Sequence, residues 1–247
     1  MQFYGTAVGK KWVMALTGLS IMGFVFFHAV GNLKVYMGAD DFNHYGEFLR
    51  ELLVPILPRT VTLWLLRLGL VVAFVLHIHS AYGLTRMNQR ANGAGYQQSR
   101  DWQAANAASR SMRWTGVIIA LFVLFHLADL TWGTVNPDFV RGDVYRNFVA
   151  TFSRPPVALI YIVANVALAI HLFHGAWSMF QSMGLNNPKW NSWRRGFAAG
   201  FAGIVLVMNV SFPLAVLTGI VDADDPTECV KDGDVIVSCT VDQEAHR

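Results

Sequence analysis

The feature that most constrains this chain is a set of five mostly apolar stretches, each roughly twenty residues or longer, at 12–36, 61–84, 114–132, 157–180 and 197–221. Each is long enough to cross a hydrocarbon core about 30 Å thick as an α-helix. The composition points the same way, with 54% hydrophobic and 14% charged residues, a balance that does not suit a soluble domain of this length. The sequence therefore predicts an all-α membrane protein with five transmembrane helices. Its expected organisation is one membrane domain over residues 1–221 and an acidic tail over 222–247, with no soluble enzyme domain and no nucleic-acid partner. The first span follows Lys10 and Lys11, as a signal peptide would. Its apolar run is too long for one and no small-residue cleavage pattern follows, so it is expected as a mature helix.

Positive charge in the short connections predicts orientation. Lys10 and Lys11 precede the first span. Arg86, Arg90, Arg100, Arg110 and Arg113 fill the connection between spans two and three, and Lys189, Arg194 and Arg195 fill that between four and five. Asp101 is the one acid among them. The alternate connections mix signs, with Lys34, Arg50 and Arg59 beside Asp40, Asp41, Glu47 and Glu51, then Arg141, Arg146 and Arg154 beside Asp138 and Asp143. The N-terminus is thus expected in the cytoplasm of a bacterial cell and the C-terminus outside the plasma membrane. The tail, with Asp222, Asp224, Asp225 and Glu228, also carries Cys229 and Cys239 around a stretch that reads as a short hairpin turning near Asp232-Gly233. A two-residue turn there would set Cys229 opposite Ile236, so a disulfide needs a bulge or a wider loop. Bridged and free cysteines both stay open.

Six of the eight histidines fall inside the expected spans: His28, His77, His79, His126, His171 and His174. Ionisable side chains are costly in a bilayer and mark cofactors, ion paths or proton relays. One or two would pass as interhelical hydrogen bonds. Depth sorts them into pairs, since a helix rises about 1.5 Å per residue and consecutive spans run in opposite directions. His28 lies roughly 24 Å and His126 roughly 18 Å from the cytoplasmic face, while His79 and His171 lie roughly 27 and 21 Å from the outer face. Two levels, each with a histidine on two helices, suit two haems, whose iron accepts axial imidazoles from facing helices. The haems are expected to be b-type, because no Cys-x-x-Cys-His attachment motif occurs. Zinc would call for three or four ligands converging at one depth.

Geometry leaves two choices open. His77 and His79 point to nearly opposite faces of one helix, and His171 and His174 share a face. Gly83 and Gly175, each four residues after a histidine, offer bare patches for a flat macrocycle or for ordinary helix packing.

The chain resembles the single-polypeptide, five-helix, dihaem cytochrome b subunit of succinate dehydrogenases and fumarate reductases. The residues that carry the resemblance are Phe27-His28-Ala29-Val30 with Asn32, Ala39-Asp40-Asp41-Phe42-Asn43, and His79-Ser80-Ala81-Tyr82-Gly83. Further on come Phe125-His126 with Asp129, and His171-Leu172-Phe173-His174-Gly175-Ala176-Trp177-Ser178. The resemblance implies His28 with His126 on an outer haem and His79 with His171 on an inner one, leaving His77 and His174 as neighbours or alternative ligands. It further implies a flavoprotein and an iron–sulfur partner subunit, a complex able to associate further, and a quinone substrate, commonly menaquinone. This chain's part would be to pass electrons from the iron–sulfur subunit to quinone. Asp129, one turn beyond His126, is the candidate for proton delivery to quinone. Where the fumarate-reducing branch has a glutamate two residues before the span-four ligand, this chain has Ala169. The rival readings are the cytochrome anchor of another quinone-linked oxidoreductase, and a transporter with a histidine proton relay. A transporter would favour broken helices, for which Pro213 is the candidate.

Overall fold

A computed structural model of the chain describes residues 2–91, 107–185, 187–222, 227–232 and 235–241. Arg100, Asp101, Asp224 and Asp225 of the charge pattern lie outside these residues. The helices are α1 (Gln2–Gly5), α2 (Ala7–Asn32), α3 (Ala39–Arg50), α4 (Val61–Ala91), α5 (Ala107–Leu130), α6 (Val144–Phe152), α7 (Pro155–Ser182) and α8 (Asn191–Leu217). A 3₁₀ turn, Leu33–Met37, follows α2, and two strands, β1 (Thr227–Asp232) and β2 (Val235–Val241), close the described chain.

Among the described residues, five helices are long and apolar enough to cross a membrane, and they correspond to the five expected spans. Their bounds differ from the apolar stretches. Hydropathy marks only the apolar part of a helix, whereas backbone bonding continues through α4 as far as Arg90 and Ala91 and begins α8 at Asn191. Pro155 and Pro156 open α7, where a missing N–H costs no helical bond. Pro213 lies inside α8, which continues through it to Leu217, so the candidate break does not end the helix.

The chain divides into two compact units, each assembled from pieces of several helices. The first comprises Met1–Phe26, Trp64–Gly116 and Ala169–Ile204. Its α7 and α8 portions meet along an aromatic seam, with the Phe180 ring 5.9 Å from both Trp193 and Phe197, and Phe201 reaches Phe26 of α2 at 5.9 Å. Short α1 lies against α4 through Tyr4, whose hydroxyl meets His79 Nδ1 at 2.5 Å and Ser80 Oγ at 3.3 Å. Lys10 Nζ sits over the Tyr4 ring at 4.2 Å, a cation–π contact.

The second unit comprises Phe27–Leu63, Val117–Leu168 and Val205–Arg247. Its core gathers Val35, Phe42, Phe148, Phe152, Tyr161 and Phe212, from five different elements. Helix α6 is nine residues long, too short to stand out in the sequence, and it buries Tyr145, Phe148, Val149 and Phe152. Its N-terminus is capped by Asp143, which accepts from the Arg146 N–H at 2.9 Å; such a cap satisfies one orphan donor of the first turn. Asn43 of α3 supports the same end. Its Oδ1 accepts from the Val144 and Tyr145 N–H groups at 2.8 and 3.0 Å, and its Nδ2 donates to Asp143 at 3.2 Å. Close approach of α3 to α2 depends on Gly31, where a Cβ would lie 2.6 Å from the Tyr45 hydroxyl. The mixed charges of this region pair locally: Glu47 binds both Arg50 and Arg59, and Lys34 lies 3.8 Å from Asp41.

The strands form an antiparallel hairpin that closes at Asp232 opposite Val235. This corrects the register expected from a turn at Asp232-Gly233. Besides the Asp232–Val235 closing pair, a bulge between Val230 and Lys231 shifts the pairing, so Cys229 stands opposite Cys239 rather than Ile236. One extra residue on one strand has that effect on register.

Candidate functional site

In the first unit, α4 brings His77 to His171 of α7, with ring centroids 6.4 Å apart and planes at 60°. Each ring is backed by a threonine on another helix. Thr17 Oγ1 of α2 lies 3.3 Å from His77 Nδ1, and Thr115 Oγ1 of α5 lies 3.2 Å from His171 Nδ1. The two hydroxyl protons are already committed, Thr17 to the Val13 carbonyl at 2.7 Å and Thr115 to the Ser111 carbonyl at 3.1 Å. Their oxygens are thus left to accept from Nδ1–H, which assigns the proton to Nδ1 and leaves Nε2 as the bare lone pair on each ring. Gly18, next to Thr17, makes room for the His77 ring, since a Cβ there would come within 3.2 Å of it; a Cβ on Gly116 would meet His171 at an ordinary contact distance of 3.6 Å.

The pairing of His79 with His171, offered by depth and implied by resemblance, is not the ring contact that α4 and α7 make. Two residues along a helix turn a side chain by about 200°, so with His77 aimed at His171, His79 points away and meets Tyr4. Gly83 is likewise taken, since a Cβ there would meet Lys10 Cε at 3.0 Å, while Gly175 faces open space. His174 follows His171 by one turn. Its Nδ1, together with Trp177 Nε1, is buried without a partner among the described residues.

In the second unit, His28 of α2 and His126 of α5 come together with ring centroids 5.9 Å apart and planes at 87°, matching the pair drawn from depth. Asn32, one turn after His28, places its Nδ2 3.4 Å from His28 Nε2. His126 is backed by Tyr161 of α7, whose hydroxyl lies 3.4 Å from Nδ1. That hydroxyl donates to Asp129 Oδ2 at 3.1 Å. Asp129 is fully buried, accepts from Thr151 Oγ1 at 2.9 Å and pairs through Oδ1 with Arg154 Nη2 at 2.5 Å. The candidate proton donor is thus enclosed by protein and held in an ion pair. The α5–α6 connection and α6 close over it, and Asn136 extends the network by donating to Thr151 Oγ1 at 3.3 Å.

Two features escaped sequence reading. The Thr-Gly dipeptides at 17–18 and 115–116 each precede a histidine, His28 and His126, with eleven residues from threonine to histidine in both cases. Eleven residues return a helix to nearly the same face, so this repeat was a legible signal that α2 and α5 each serve two sites. Arg154 carried no such signal, because its partner lies across a connection of irregular chain.

Each pair is fit to hold one metal between two imidazoles. Nitrogens about 2 Å from a shared metal on opposite sides place the ring centres roughly 6 Å apart, against 6.4 and 5.9 Å here. Among the described residues, no three of the His, Cys, Asp and Glu side chains converge as a metal-ion site. A group with its own equatorial ligands, such as haem, therefore suits two-point anchoring better than a bare ion.

Fold and site together define a multi-pass membrane protein with histidine pairs on its spans. The family model described as succinate dehydrogenase/fumarate reductase transmembrane subunit matches residues 86–210, and the chain belongs to that family. The match includes His126 and His171 and leaves His28 and His77 ahead of it. No curated protein and no solved structure matches the chain.

Proposed function

We propose that this membrane subunit of a succinate dehydrogenase or fumarate reductase complex carries two b haems, one between His77 and His171 and one between His28 and His126. The observation that carries the reading is the double occurrence of an iron-bridging imidazole spacing in a chain of this family. The orphaned His174 and Trp177 donors add to it, because buried N–H groups cost free energy unless bonded, and the carboxylates of a haem are acceptors of the required kind. When bound, haem would supply one-electron chemistry; His77, His171, His28 and His126 would hold it, with Thr17, Thr115 and Tyr161 hydroxyls behind three of these rings.

The charge distribution supports an orientation in the membrane. All basic residues of the two arginine- and lysine-rich connections fall in the first unit, while Asp40, Asp41, Glu47, Glu51, Asp138 and Asp143 fall in the second. By the excess of positive charge in cytoplasmic loops, the first unit's connections face the cytoplasm of a bacterial cell. The soluble flavoprotein and iron–sulfur subunits dock there, and the His77–His171 pair is the nearer one to receive electrons. Quinone, expected to be menaquinone, takes up two electrons and two protons.

Reduced-minus-oxidised absorption of the purified complex tests the reading. A b-type α-band equivalent to two haems per chain is expected, halved by His77→Ala or by His28→Ala and abolished by the double variant. A complex with no such band removes haem from the account.

A further inference from the structure

The two histidine pairs differ in what stands behind them, and that difference carries an inference resting on the haem reading above. We propose that Tyr161 is a positioning residue for His126, and that Asp129, clamped by Arg154 and Thr151, is what fixes the direction of its hydrogen bond.

The geometry assigns each proton in the chain. Arg154 has donors only, so its contact with Asp129 Oδ1 makes that oxygen an acceptor. The Thr151 hydroxyl donates to Asp129 Oδ2, and so does the Tyr161 hydroxyl. With its proton given to the carboxylate, the Tyr161 oxygen accepts from His126 Nδ1–H. The outcome is a single tautomer at His126, with Nε2 presented to the metal. Partners in this outer position are known to orient ligating imidazoles and raise their basicity. The same task at His77 and His171 falls to neutral threonine hydroxyls, which donate to backbone carbonyls. A carboxylate at the far end of the chain polarises the bond further than a carbonyl does. The tyrosine ring is itself immobilised, edge-on to Phe122 and Phe152 at 4.9 Å, so its hydroxyl cannot follow His126 if the imidazole turns.

Two consequences separate this role from plain packing. Greater electron donation through His126 stabilises the oxidised iron, so the haem of the second unit should have its midpoint lowered by the chain. The hydrogen bond also holds the imidazole planes near the 87° seen here, an angle that the low-field g value of a bis-histidine ferric haem reports.

The test uses Tyr161→Phe in the purified complex, with redox titration and low-temperature electron paramagnetic resonance as readouts. The ring and its contacts stay; only the hydroxyl goes. An upward shift in the midpoint of one haem, a changed low-field g value for that haem and an unchanged signal from the other are expected. Asp129→Asn should shift the same haem in the same direction. Should that variant fail to assemble, Tyr161→Phe decides alone. Two intact haems with unaltered midpoints and g values in Tyr161→Phe would overturn the proposal, as would equal disturbance of both. A parent complex lacking b-type signals would instead sink the haem reading on which it rests.

Discussion

Both units of this protein hold a histidine pair at nearly the same spacing, yet they secure it differently. In the first, the acceptors behind the imidazoles are Thr17 and Thr115, each sitting one residue before a glycine, of which Gly18 gives the His77 ring its close approach. The second uses an aromatic hydroxyl tied to a buried ion pair, roofed by α6 and by Asn136 of the connection before it. A neutral, local arrangement can be written into two transmembrane helices alone. The charged one needs a folded connection to bury it, because an aspartate and an arginine in an apolar setting must pair and be hydrogen-bonded on every side. The second unit accordingly contains α3 and α6, and the described residues of the first add α1 and a short 3₁₀ turn, Pro188–Trp190, to its spans.

The comparison breaks most readily at the ligands. His77→Ala is expected to remove one haem and His79→Ala to leave both, as counted by pyridine haemochrome assay; the reverse result would restore the pairing implied by resemblance and invalidate the facing geometry of α4. Next in size is the ion pair. Arg154→Met leaves a buried carboxylate and should lower stability by about 3–5 kcal/mol, read as a fall in the detergent-solubilised melting temperature. Asn43→Ala deletes three hydrogen bonds at the start of α6 and should destabilise by about 1–3 kcal/mol, again by thermal unfolding. It should do so without altering the spectrum of the His77–His171 haem. The smallest effect is expected from Thr115→Val, about 0.5–1.5 kcal/mol with both haems retained; a loss as large as that of Arg154→Met would erase the distinction between the two arrangements.

Much of this was legible in the residues themselves. Apolar length gave the five spans, and depth arithmetic set His28 level with His126 but took His79, not His77, to the level of His171. What hydropathy does not encode is rotation. The two-residue offset of His77 and His79 guaranteed that they would diverge, but the face α4 turns toward α7 is fixed by packing between them. The burial of Asp129 escaped for a related reason, since its position beside the end of α5 reads as interfacial until Arg154, at the start of α7, is known to fold back onto it. The cysteine register differs because Asp232 pairs with Val235 and one further residue is bulged between Val230 and Lys231.

The Asp129–Arg154 pair also bears on how the chain enters the bilayer. Asp129 leaves the ribosome with α5, whereas its partner is synthesised 25 residues later, at the head of α7. Until then the aspartate would cost up to roughly 3 kcal/mol if drawn to mid-membrane, so α5 has reason to remain shallow. Arrival of Arg154 neutralises the carboxylate and lets both helices settle together. One ion pair joins the end of α5 to the start of α7, and loss of either residue is expected to show first as less inserted chain in the membrane fraction.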